Sequence, residues 1–129
     1  MDHVPTILIV DDDKNFSEIL AVKLGAAGFR AEQAESGEEG VQKAQGMHPD
    51  LILLDMKMPG MNGADVIAKL RAEERTKDLN VVFLSSFGDP RFRFGNVDHK
   101  AAQEIGALGY LRKTDDLDLL LQQITSYLQ

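Results

Sequence analysis

Three unbroken apolar tetrads limit what this chain can become: Ile7-Leu8-Ile9-Val10, Leu51-Ile52-Leu53-Leu54 and Val81-Val82-Phe83-Leu84. Successive side chains of a strand point to opposite faces, so an all-apolar tetrad leaves no face for water. Such runs fit strands covered on both sides, as in a parallel sheet with helices packed above and below. The stretches between them carry helical spacing. Phe16, Ile19, Leu20, Lys23 and Leu24 outline a first helix closed by Gly25 and Gly28. Ser36-Gly37-Glu38-Glu39 opens a second, with acids in its first turn, which ends near Gly46 ahead of the His48-Pro49 break. Val66, Ile67 and Leu70 mark a third. A fourth is expected from about Asp98 to Ile105, and Leu117, Leu120, Leu121, Ile124 and Leu128 outline the last.

Two weaker strands complete the series: Arg30–Ala34 after the first helix, and Gly109-Tyr110-Leu111-Arg112 before the last. The order is strand then helix, five times. That predicts an α/β fold, a five-stranded parallel sheet, doubly wound with helices on both faces. No linker, low-complexity stretch or repeat interrupts it, so residues 1–129 are expected to form one domain.

Composition narrows the chemistry. The chain has no cysteine, which removes disulfides, thiolate nucleophiles and cysteine-based zinc sites together. Its net charge of −7 argues against a direct grip on nucleic acid. No apolar run approaches a membrane span, and Met1-Asp2-His3 lacks the features of a signal peptide. A cytoplasmic protein with no membrane association is the expectation.

In an open parallel sheet, ligands bind outside the carboxyl ends of the strands. The residues directly after the apolar runs are therefore the informative ones: Asp11 and Asp12, then Asp55, then Ser85, then Lys113. Carboxylates about 4 Å apart repel by roughly 4 kcal/mol per pair at an effective dielectric of about 20. A cluster of Asp11, Asp12 and Asp55 needs an offset. A hard divalent cation such as Mg²⁺, the Lys113 ammonium, or proton sharing with raised pKa values would each supply one. Asp55 can act as a nucleophile, since a carboxylate can form an aspartyl phosphate. Asp12 and Asp55 would hold the metal, with Asp11 acting directly or through water. The Ser85 hydroxyl can donate to a phosphoryl oxygen, and Lys113 can balance its charge.

These segments resemble a known family. Ile7 to Asp13, the stretch Leu51 to Gly63 with its Asp-x-x-Met-Pro-x-Met-x-Gly core, Ser85-Ser86, and Tyr110-Leu111-Arg112-Lys113 are similar to the signature segments of bacterial two-component response-regulator receiver domains. The resemblance runs from about Ile7 to Leu128. It implies a flavodoxin-like fold and transfer of a phosphoryl group from a phosphohistidine of a sensor histidine kinase, or a phosphotransfer protein, to Asp55. It implies Mg²⁺ bound by Asp12, Asp55 and the Lys57 backbone carbonyl, with Asp11 assisting. It makes Ser85 and Tyr110 a switch pair, whose readout is a changed surface on the fourth helix, last strand and last helix. Such a domain promotes only its own phosphorylation and dephosphorylation, and is not otherwise an enzyme. An output protein or domain, and a homodimer, are the further partners it suggests.

Two departures stand out. The family's usual proline after the strand-end lysine is Thr114 here, which bears on the Lys113–Thr114 bond and the pose of Lys113. The stretch Phe87 to Val97 is longer than the family's and contains Arg91-Phe92-Arg93-Phe94. It reads either as a docking or self-association segment or as a loop tucked on its own domain. In the family this chain resembles, the residues two beyond the phosphoacceptor and two beyond the hydroxyl residue govern water access to the acyl phosphate; the resemblance puts Lys57 and Phe87 there, and their bulk predicts slow loss of phosphate.

Other residues read as structural. His3, His48 and His99 are scattered and expected at the surface. Met56, Met58 and Met61 are expected to pack in the loop and core. Asp13 reads as a solvated neighbour or a helix-start acid rather than a third metal ligand, and Asp115, Asp116 and Asp118 are expected at the start of the last helix. Three rival functions were weighed. Asp11-x-Asp13 also resembles the opening motif of haloacid-dehalogenase-type phosphohydrolases, with Asp11 as nucleophile and Asp13 as general acid. A receiver-like module that is never phosphorylated is the second. A flavin or nucleotide protein is the third, but it would need a glycine-rich loop where three aspartates stand.

Overall fold

The computed structural model describes residues 3–85, 103–104, 106–113 and 115–129. The strands are β1 (Thr6–Val10), β2 (Arg30–Ala34), β3 (Leu51–Asp55), β4 (Val81–Ser85) and β5 (Gly109–Arg112). The helices among the described residues are α1 (Lys14–Ala26), α2 (Gly37–Met47), α3 (Gly63–Ala72) and α4 (Leu117–Tyr127). All strand pairs are parallel, in the order β2-β1-β3-β4-β5. The chain thus forms the predicted five-stranded parallel sheet. The expected helix from Asp98 to Ile105, the 87–97 segment, Phe87, His99 and Thr114 lie outside the described residues, apart from residues 103–104 of that helix.

The apolar tetrads explain the layers. Alternate residues of each strand feed two separate cores. Leu8, Val10, Ile52, Leu54, Val81, Phe83 and Tyr110 face α2 and α3, with Val41, Ala44, Val66, Ile67 and Leu70. Ile7, Ile9, Leu51, Leu53, Val82, Leu84 and Leu111 face α1 and α4, with Leu20, Leu24, Leu120 and Ile124. Not every apolar helix residue goes inward: Ile19 of the expected α1 stripe is 55% exposed.

Helix starts follow side-chain caps. Asp13 accepts the Phe16 amide at 3.1 Å and Ser36 accepts the Glu39 amide at 3.1 Å. Asn62 and Asp65 form a reciprocal capping box at α3. Asp116 caps α4 by accepting the Asp118 amide at 2.8 Å. The first helix runs through Gly25, which the sequence reading placed at its end. It stops just before Gly28, whose φ of 97° suits glycine and turns the chain toward β2.

Candidate phosphoryl-acceptor site

Strand register brings the expected residues together. Val10 pairs with Leu54, so Asp11 and Asp55 follow side by side. Asp55 pairs with Leu84, and Ser85 with Arg112. One step on, the Lys113 amide donates to the Ser85 carbonyl at 2.9 Å, extending the β4–β5 ladder. Asp11, Asp55, Ser85 and Lys113 therefore line one edge of the sheet. β1 leads to β2 on one side and lies against β3 on the other, so the acids sit where the winding reverses.

The centre is charged and mostly buried. Asp11 is fully buried and Asp55 is 3% exposed, while Asp12 is exposed. Carboxylate oxygens of the three lie within 4.8 Å of one another. Lys113 Nζ stands 2.6 Å from Asp11 Oδ2 and 3.3 Å from Asp55 Oδ2. Asp11 Oδ1 accepts the Asp13 amide at 3.0 Å, and Asp55 Oδ1 accepts the Lys57 amide at 3.1 Å. The Ser85 hydroxyl donates to the Leu111 carbonyl at a long 3.4 Å. That weak bond is easily exchanged for a better acceptor.

Two of the three expected offsets for the acid cluster are visible. Burial pushes the Asp55 carboxyl up to about 6, against the opposing pull of the Lys113 ammonium and the Lys57 amide, and the Asp11 carboxylate adds to the rise. Burial alone would lower the Lys113 ammonium, but the Asp11 and Asp55 carboxylates outweigh it and hold the pKa above its usual value. The third offset is a cation. Asp11 Oδ2 is buried, and the Lys113 ammonium at 2.6 Å is its one close partner among the described residues. Three carboxylates gathered this closely form an all-oxygen donor set that suits a hard divalent ion.

The loop after Asp55 is shaped by backbone needs. Gly60 has a φ of 80°. Gly63 lies so close to the site that a Cβ there would meet Met56 Sδ at 2.9 Å, Met56 Cα at 3.1 Å and the Asp55 carbonyl oxygen at 3.2 Å. Its amide donates to the Met56 carbonyl at 3.2 Å. Met56 and Met58 are buried in the core and Met61 packs against it, as expected. Lys57 is exposed at the rim.

Residues 7–125 match the family described as "Response regulator receiver domain". The chain belongs to this family. It is 34% identical over 126 residues to the DNA-binding dual master transcriptional regulator RpaA of Synechocystis, covering 98% of this chain and 50% of that one. The chain spans about half the length of the curated relatives it matches. Among solved structures it resembles the chemotaxis protein CheY4 of Vibrio cholerae, with a TM-score of 0.82 and 25% identity over 97% of this chain and 99% of that one. It also resembles a CheY-like receiver domain protein of Methanospirillum hungatei, with a TM-score of 0.80 and 26% identity over 98% of this chain and 95% of that one. The receiver domain is thus a component of two-component signalling, with the flavodoxin-like fold of its structural relatives.

Tyr110 is 8% exposed and belongs to the α2–α3 core, two positions back from the sheet edge and next to Phe83 in the register. Ser85 lies on the same face as Phe83, so the expected pair shares one side of the sheet. Asp13 caps α1 instead of facing the acid cluster, which removes the general acid that the phosphohydrolase reading required. His3 and His48 are exposed. Sequence reasoning missed two polar struts. Asp50 accepts the Thr6 amide at 2.7 Å and contacts His3 at 2.8 Å, pinning the start of β1 to that of β3. The Arg71 guanidinium donates to the Lys77, Leu79 and Gly106 carbonyls. Both bonds join residues without local sequence periodicity, and no pattern signals them. No helix among the described residues is long and apolar enough to cross a membrane.

Proposed function

We propose that this receiver domain accepts a phosphoryl group on Asp55 and uses it to alter a partner-binding surface. The observation that carries the reading is the ion-paired cluster itself: a buried Asp55 within reach of Asp11, Asp12 and one ammonium. A lone solvated acid would need neither burial nor a lysine.

The chemistry assigns the roles. An Asp55 carboxylate oxygen attacks the phosphorus of a phosphohistidine on a sensor histidine kinase or phosphotransfer protein. The P–N bond breaks and the imidazole leaves with its electron pair, taking up a proton. Asp11, Asp12 and Asp55, with the Lys57 backbone carbonyl, would hold Mg²⁺, which when bound neutralises charge on the phosphoryl oxygens. Lys113 supplies a second positive charge, and Ser85 a hydroxyl donor that leaves the Leu111 carbonyl for a phosphoryl oxygen. Ser85 and Tyr110 form the switch pair, with the readout at β5, α4 and the preceding helix. Lys57 and Phe87 shield the acyl phosphate from water and slow its loss. The domain turns over only its own phosphate, so it is a signalling component and not an enzyme acting on other substrates. An output protein or domain receives the signal, and a homodimer is one form that the altered surface supports. Its setting is cytoplasmic, away from membranes and without direct contact to nucleic acid.

Incubation with acetyl phosphate and Mg²⁺, followed by intact mass measurement, tests this reading. One phosphoryl group should be gained by the native protein, and none by Asp55→Asn or without divalent metal. Equal gain by Asp55→Asn would overturn it.

A further inference from the structure

Phe16 stands where an acid would be the ordinary choice. It is the third residue of α1, whose first turn holds no acid, although negative charge is favoured there by the helix dipole and by the reciprocal cap. The α2 and α3 first turns do carry acids, Glu38 with Glu39 and Asp65. At α1 the Asp13 cap fixes the first turn through the Phe16 amide. The ring of Phe16, half-buried against the α1–α4 core, then lies 5.3 Å from Lys113 Nζ. The same ammonium touches both Asp11 and Asp55.

This arrangement poses a competition. The Asp11 oxygen that Lys113 contacts at 2.6 Å has no other close partner among the described residues, and Asp11 belongs to the acid set that suits a divalent cation. Once that oxygen is engaged by a cation, it no longer serves Lys113, and like charge pushes the ammonium outward. Lys113 must nevertheless remain within reach of Asp55. A carboxylate at position 16 would hold it, but would also add a fourth anion beside the cluster and draw the ammonium away from the phosphoryl group. An aromatic face attracts the ammonium through its quadrupole and offers no oxygen to the metal.

We propose that Phe16 is a positioning residue for Lys113: its ring holds the ammonium beside Asp55 when the Asp11 oxygen is taken up by a cation. This rests on the phosphoacceptor reading of Asp55. Phe16 touches no reacting atom and acts only through the lysine.

The direct test is NMR of the native protein with selectively labelled lysine. The ring shifts the Lys113 ε-methylene protons upfield, and the shift should persist when Mg²⁺ and then beryllofluoride are added. Beryllofluoride affinity, read from the same spectra, should fall roughly threefold to tenfold in Phe16→Leu and stay near native in Phe16→Tyr, the range expected for a cation over a ring. Mg²⁺ affinity without beryllofluoride should not weaken in either variant. Loss of the ring shift on adding Mg²⁺ overturns the proposal, as does an equal fall in both variants or no fall in Phe16→Leu. Native protein that binds no beryllofluoride at all overturns the phosphoacceptor reading together with it. Native binding without the Phe16 effects removes this inference alone.

Discussion

Asp55 is an acid whose folded environment holds its proton tightly. Burial holds its carboxyl near 6, well above the ordinary 3.8. The folded protein therefore binds this proton more tightly than the unfolded chain does. Its contribution to stability is fully present below about 4 and is lost as pH rises through about 6. In chelator, Asp55→Asn should exceed the native protein in stability at pH 7 to 8 by on the order of 2 kcal/mol, with the gap closing below about pH 4. Urea unfolding across that range measures it, and a gap that widens on acidification would contradict the assignment. Metal binding reverses the preference, because it favours the ionised carboxylate. Mg²⁺ affinity should accordingly weaken as pH falls below about 6, while Lys113, shifted upward, stays charged throughout.

At the scale of elements, the loop from β3 into α3 and the packing of α1 make opposite predictions. Gly63→Ala places a methyl against Met56 and the Asp55 carbonyl. It should cost about 1–3 kcal/mol and also impair the proposed phosphoryl transfer, because the strain falls on the strand end that carries Asp55. Leu24→Ala empties a fully buried site of the α1 side. It should cost about 2–5 kcal/mol while leaving transfer from acetyl phosphate nearly unchanged, provided the assay is run below the lowered melting point. Denaturant titration with an initial-rate assay separates the two. The elements were largely readable because their signals are local. All-apolar tetrads admit few alternatives to buried strands, and the helices start at short polar caps, Asp13, Ser36, Asn62 and Asp116. Gly25 and Gly28 were expected to close the first helix, and it ends between them at Ala26; Gly28 is the one that adopts the positive φ. Strand-end residues were equally readable once the sheet was parallel, since register alone aligns Asp11, Asp55, Ser85 and Lys113. The role of Phe16 was not, because a ring at helical spacing looks like any core residue until Lys113 is seen above it. The same holds for Asp50, which reaches Thr6 and His3, and for Arg71, which reaches the Gly106 carbonyl, all far off in sequence.

For the molecule as a whole, the proposed function and the stability meet at one acidic cluster. A cation that binds only the folded state stabilises it by RT ln(1 + [M]/Kd), about 2.7 kcal/mol at a hundredfold excess over Kd. The melting temperature should therefore climb with Mg²⁺ concentration. Asp12→Ala should abolish that climb yet change the metal-free stability by no more than about 0.5 kcal/mol, as its side chain is exposed. A metal response that survives in Asp12→Ala would place the ion elsewhere. Chain length gives the domain its context: it matches about half of each curated relative, and those relatives include transcriptional regulators. In the proposed function Asp55, and no other carboxylate, carries the phosphate. Borohydride reduces an acyl phosphate to the alcohol, so a phosphorylated aspartate becomes homoserine in the peptide mass spectrum. After treatment with acetyl phosphate and Mg²⁺, homoserine should be found at position 55, and conversion at Asp11 or Asp12 instead would contradict the account.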